Sequence, residues 1–384
     1  MIKKIWKSLL IVSASFFVCT ADATTQKPWT FLLYMAAAND LHASAWSDVQ
    51  KMMHVGSNEN VNILVYLTLQ EDNQPKTTVK LYIEKGSVKQ IGETMVRDSG
   101  DVVTLQEALQ WACIDYPSDH IAIVLWGHGS GALNRSRGVC YDFDTEHYVT
   151  DRNCVQAFAW VRDNVRDGQK FDVIAFDAPF LGSIEIAYTL SDCADYMVAS
   201  EGIIPGDGYA YSYMLDQLVM QTYDPLSFAQ LMVNASQREC AKKSDYTLSA
   251  IDLNALQPLV DNCNAVAQIL TTQLMGNKKA NVRGVLKKCI NSEHCLSFDE
   301  GMYIDLCQFY KNLLKNCNGL QLSKLVLNQF KRLLQDGIRL FSDIIKVRLS
   351  IYFSRHFIDP SYYGLYWTQH NPNWLNFLEA FLDN

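Results

Sequence analysis

The chain has 384 residues, of which 49% are hydrophobic and 19% charged, with a formal net charge of −8. That is enough apolar material for one large core or two modest ones, and it excludes disorder by composition. An acidic balance excludes the electrostatic footprint of a nucleic-acid binder and gives no attraction to an anionic membrane, whereas basic peptides are partners it would attract.

The amino terminus reads as a secretory signal over residues 1–23. Lys3, Lys4 and Lys7 make a basic start, residues 9–18 are mostly apolar, and Ala21-Asp22-Ala23 offers a small-residue cleavage site. The apolar stretch is too short for a comfortable membrane span. Export with cleavage near Ala23, leaving no transmembrane anchor in the mature form, is the expectation.

Residues 29–36 then read as a first strand, 43–55 as an amphipathic helix and 61–69 as a second strand. Alternating runs at 78–83 and 88–96 surround Glu84-Lys85-Gly86-Ser87 and predict a β-hairpin. A helix over 101–116 opens on Asp101, where a negative charge suits the helix dipole. A continuous apolar strand at 120–126, a more polar segment at 130–153, a helix at 154–166 and a second apolar strand at 171–176 follow. A helix at 181–190 and a strand at 196–200 complete the series. Apolar runs without alternation belong to strands buried on both faces. The spacing therefore predicts an α/β fold over residues 27–252, an open and mainly parallel sheet covered by helices on both sides.

Residues 253–384 read differently. Helices are expected at 256–274, 305–316, 322–345 and 374–382, with one strand at 347–353 expected to return to the core. This C-terminal region is predicted to be mainly helical.

The sequence has 11 Cys, and loss of Cys19 with the leader leaves an even number, which in an exported protein permits disulfides. Cys113, Cys154 and Cys193 have the apolar surroundings of buried thiols. Cys263, Cys289, Cys295, Cys307 and Cys317 cluster late in the chain and are the disulfide candidates. Cys289, His294 and Cys295 have no second ligand pair at zinc spacing nearby, so no metal site is expected.

Chemistry concentrates where two apolar strands end. The first delivers Gly127-His128-Gly129, and the second delivers Asp177-Ala178-Pro179. Ligands of open α/β sheets bind beyond the carboxyl ends of the strands. A His between glycines can approach a substrate unobstructed, and the Gly129 backbone N–H can face an oxyanion. Asp177 is either a helix-capping turn residue or the carboxylate of a substrate pocket. Asp207, in Pro205-Gly206-Asp207-Gly208, has the same two readings. Together the two acids would favour a cationic side chain.

These blocks resemble the clostripain-type cysteine peptidases, relatives of caspases and gingipains. The resemblance runs through WTFLLYMAAANDL at 29–41, LWGHGSG at 125–131 and 171–179, and continues through 195–201, 205–208, 248–253 and 350–353. It implies a caspase-like three-layer α/β/α sandwich. It also implies that His128 is the catalytic base or acid, that Gly129 lies at the oxyanion position, and that Asp177, with Asp207 as a second candidate, recognises a basic residue. Some members of the family depend on calcium, although no calcium motif is visible here. Active members are cut after a basic residue in the loop beyond the His, where this chain has Arg135 and Arg137.

The family's nucleophilic Cys aligns with Pro179. Proline has no nucleophilic atom and no backbone N–H to hold an oxyanion. The expectation is a secreted homologue that has lost peptidase chemistry and retains a crevice for basic peptides. The alternatives are an active hydrolase that uses Cys140 or a His128-activated water, and a purely structural or interaction protein.

Overall fold

The computed structural model describes residues 26–131, 138–240, 247–316, 320, 322–323, 327–330, 332–333 and 349–383. The leader, Arg135, Arg137, Cys317 and most of the helix expected at 322–345 lie outside these residues.

In chain order the strands are β1 (Lys27–Ala37), β2 (Val61–Leu69), β3 (Thr77–Glu84), β4 (Ser87–Met95), β5 (Ser118–Trp126), β6 (Val139–Asp142), β7 (His147–Val149), β8 (Phe171–Asp177), β9 (Ala194–Ala199), β10 (Ser249–Asp252), β11 (Ser297–Phe298), β12 (Tyr303–Asp305) and β13 (Ser350–Tyr352). The helices are α1 (His42–Met53), α2 (Val102–Asp115), α3 (Asp151–Asn164), α4 (Ile184–Leu190), α5 (Tyr211–Met220), α6 (Pro225–Cys240), α7 (Gln257–Leu274), α8 (Lys279–Cys289), α9 (Leu306–Asn316), α10 (Tyr366–His370) and α11 (Pro372–Leu382).

Eight strands form one sheet in the order β10-β9-β8-β5-β1-β2-β3-β4. From β9 to β2 neighbouring strands are parallel, while β10, β3 and β4 are antiparallel additions at the two edges. β1 shows why the central strands carry no alternation. Phe31, Leu33 and Met35 enter a core shared with α1, α5 and α6, whereas Leu32, Tyr34 and Ala36 enter a second core with α2, α3 and α7. Both faces are covered, so the positions of both sets are mainly apolar. The result is the predicted three-layer α/β/α arrangement.

The predicted hairpin forms, with Lys85-Gly86 as its two-residue turn and Gly86 at φ +81°. Asp101 caps α2 by accepting a hydrogen bond from the Val103 N–H. Helices α5, α6 and α8 were not anticipated.

Beyond β10, the helices α7 and α11 join the same apolar cluster as α2 and α3. The strand expected at 347–353 does form, as β13, but it does not enter the main sheet. It pairs with β12 in a separate three-stranded sheet of order β11-β12-β13. It lies over the sheet face that α4 covers, and the Ser350 N–H donates to the Gly182 carbonyl at 2.9 Å.

The disulfide expectation is also corrected. Cys263, Cys289, Cys295 and Cys307 are all unpaired and buried. Burial pushes the first three thiols up to about 12, 11 and 12 and also raises the fourth well above the ordinary thiol range. They act as small hydrophobes of the core rather than as crosslinks.

One buried acid ties the C-terminal elements to the sheet. Glu185 of α4 accepts the Tyr352 N–H at 2.9 Å and the Tyr362 hydroxyl at 3.1 Å, and burial raises its carboxyl from 4.5 to about 7. A carboxyl whose folded pKa is raised costs stability as pH climbs, because the unfolded chain ionises first. Glu185→Gln keeps the acceptor and removes the titration. Its thermal midpoint relative to wild type should therefore rise between pH 4.5 and about 7, then level off. A midpoint difference that does not change with pH would show that Glu185 carries no such penalty.

Candidate functional site

The parallel register brings three strand ends to one level. Met35 of β1 lies opposite Trp126 of β5, which lies opposite Asp177 of β8. The chain turns from β1 to β2 on one side and places β5, β8 and β9 on the other, so the crevice lies at the switch in strand order.

Asp40 follows β1, His128 follows β5 and Pro179 follows β8. His128 Nε2 lies 2.6 Å from Asp40 Oδ1, and the imidazole stacks on Phe143 with ring centroids 5.7 Å apart. Phe143 is anchored to the end of β1 through its N–H to the Ala38 carbonyl, and Asn39 bonds the Tyr141 carbonyl. The imidazole is thus held by one carboxylate and one ring. Gly129 must be glycine here, since a Cβ would stand 2.7 Å from the Pro179 carbonyl oxygen. The His loop and the Pro loop are in backbone contact.

The acids differ from expectation. Asp177 lines a crevice of about 130 Å³ together with His128, Pro179, Ser44, Ile204 and Gly208, but its side chain is nearly buried, at 5% exposure. Its Oδ2 accepts the Tyr211 hydroxyl at 2.7 Å and the Tyr209 N–H at 3.1 Å. Asp207 is exposed and is not part of the crevice wall. Its backbone carbonyl accepts a hydrogen bond from Lys51 Nζ at 2.6 Å.

The acidic neighbour of Asp177 is instead Asp48 of α1. Asp48 accepts Trp126 Nε1 at 2.9 Å and Lys51 Nζ at 2.7 Å. Burial, then the Asp48 charge, raise Asp177 to about 7. Burial raises Asp48 to about 6 against the opposing pull of Lys51. A signal for Asp48 was present in the sequence, because Ala45, Asp48, Val49 and Met52 form the buried stripe of α1. An acid at such a position has to find partners inside the protein.

Cys140 is fully buried, its Sγ lies 3.8 Å from the Trp126 carbonyl, and burial pushes its thiol well above the ordinary range. A nucleophile must be accessible and ionisable, so Cys140 is excluded. Among the described residues, no three His, Cys, Asp or Glu side chains gather to hold a metal ion.

A family model described as the clostripain family, Peptidase C11, matches residues 33–343. The chain belongs to the clostripain family. It is 22% identical over 325 residues to clostripain of Hathewaya histolytica, an alignment that spans 71% of this chain and 61% of that protein. In fold it is similar to a secreted C11 cysteine protease from Bacteroides thetaiotaomicron solved with an irreversible peptide inhibitor. That likeness has a TM-score of 0.65 at 20% identity and covers 91% of this chain and 98% of the other. An inactive zymogen C11 protease from Parabacteroides distasonis is similar, with a TM-score of 0.64 at 18% identity, covering 90% and 99%. At these identities the structures show the fold that clostripain-family members share.

Gly208 lies between the two buried carboxyls at φ +63°. A Cβ there would stand 2.7 Å from Asp177 Oδ2 and 3.1 Å from Asp48 Oδ2. Gly208→Ala should destabilise the fold by about 1–3 kcal/mol in denaturant unfolding, and an unchanged midpoint would contradict this packing.

Proposed function

We propose that this clostripain-family chain is an exported protein, with its leader removed near Ala23, that binds peptides in the His128 crevice and does not cleave them by the family's cysteine route. The observation that carries this reading is Pro179, an imino acid in the loop after β8 that touches the His128 loop and lines the same crevice. Loss of a nucleophile costs roughly six powers of ten in rate, and loss of one oxyanion donor roughly two to three. Either loss removes the ordinary chemistry. Reinstalling the thiol tests whether the rest of the machinery persists: Pro179→Cys should gain measurable cleavage of Arg- or Lys-containing peptides, and a variant that folds but stays inert would overturn this part of the reading.

The preferred occupant is a basic side chain. Asp177 at the floor has Asp48 close by, and Lys51 offsets only part of their charge. A guanidinium or ammonium entering above Asp177 favours its ionised form. Because this carboxyl is raised to about 7, the ligand competes with a proton below that pH. Calorimetry with an Arg-containing peptide should show affinity increasing by up to roughly tenfold per pH unit below about 7 and flattening above it. Binding that is flat across this range, or that persists in Asp177→Asn, would place the peptide elsewhere.

A second reading is favoured by the Asp40–His128 contact, since an imidazole oriented by a carboxylate can activate water, and the Ser44 hydroxyl lines the same crevice. Turnover of Arg or Lys peptides by wild type that vanishes in His128→Ala would support this reading over the binding one. A purely structural role predicts neither turnover nor binding.

A further inference from the structure

A second cavity of about 450 Å³ shares no lining residue with the crevice. Three segments wall it. One is Ser130, just beyond the His128 loop. Another is the turn Asp299-Glu300-Gly301-Met302 between β11 and β12, and the third is the stretch 354–359 after β13. The fold brings them together through antiparallel pairing of β12 with β13 and through the Phe353 N–H, which donates to the Met302 carbonyl at 2.8 Å. Gly131 packs against the Tyr303 ring and fixes the approach of Ser130.

Two polar groups on these walls lack partners. Ser130 is 3% exposed, and its Oγ finds no hydrogen-bond partner among the described residues. Arg355 donates from Nη2 to the Ile290 carbonyl at 2.7 Å, while its buried Nε has no partner there. A buried donor left unpaired carries a desolvation cost that a ligand's acceptor would relieve. A guanidinium and a hydroxyl on the walls of one cavity suit a carboxylate. The turn supplies the opposite charge through Asp299 and Glu300, and Met302 and Phe357 add apolar surface. The turn residues Asp299 and Glu300 both hold left-handed backbone, with φ of 46° and 55°.

We propose that this cavity binds a small zwitterion, an amino acid or short peptide with free termini, with its carboxylate on Arg355 and Ser130 and its ammonium on Asp299 and Glu300. The volume is within the range of small-ligand sites.

Triglycine is the probe, because it carries both termini and no side chain for the Asp177 crevice. Calorimetry on the full chain should show binding by triglycine. Triglycine amide and N-acetyltriglycine, each lacking one charge, should be weaker by roughly tenfold or more. Ser130→Ala should weaken triglycine by about three- to tenfold without lowering the thermal midpoint, because that hydroxyl has no partner to lose among the described residues. Arg355→Gln should weaken it further. An Arg-containing peptide blocked at both ends should not displace triglycine, which separates this site from the crevice. The proposal is overturned by no triglycine binding, by equal binding of the blocked forms, by displacement with the blocked Arg peptide, or by wild-type affinity in both variants.

Discussion

The parallel register of β1, β5 and β8 is the constraint on which the candidate site rests. Each strand is buried on both faces, so none can slip by one residue without exchanging its two sets of apolar side chains between cores. With Met35, Trp126 and Asp177 held at one level, the residues two to five positions further on in each chain segment come together at the same end of the sheet. Asp40, His128 and Pro179 are those residues. The Asp40–His128 contact and the close approach of Gly129 to Pro179 are consequences of where the strands stop.

The same register buries charge. Asp177 points to the face of α1 and α5, where Asp48, Lys51, Trp126 and Tyr211 surround it. Two carboxyls in one low-dielectric place are unfavourable unless hydrogen bonds and a cation compensate. Here the compensation comes from a phenol, an indole, a backbone N–H and one lysine, and both carboxyls remain raised above their ordinary values. Carboxyls raised in this way occur both at functional sites and at structural positions, as Glu185 shows.

Much of this was legible in the chain. The strands ending at His128 and Asp177 announced themselves through unbroken apolar runs punctuated by glycine and aspartate, and the two-layer helical cover followed from their lack of alternation. The pairing of Asp177 with Asp48 rather than Asp207 was not legible, although an acid inside the buried stripe of α1 was a cue. Asp207 sits in an exposed Gly-Asp-Gly turn whose carbonyl accepts from Lys51. The late cysteines read as crosslinks because their number and compartment allowed it, but Cys263, Cys289, Cys295 and Cys307 lie among apolar neighbours with their thiols unpaired. The partner of β13, the strand β12, was not legible, since partner choice depends on elements many residues away.

Local pattern, then, is enough to say which stretches of this chain are strands, where they end and which chemistry-bearing residues stand at those ends, because burial on two faces and the punctuation of turns are properties of short segments. Strand order, the company each carboxyl keeps and the access of each thiol belong to the packed molecule. Those depend on which distant surfaces exclude water together, and no window of sequence contains both partners.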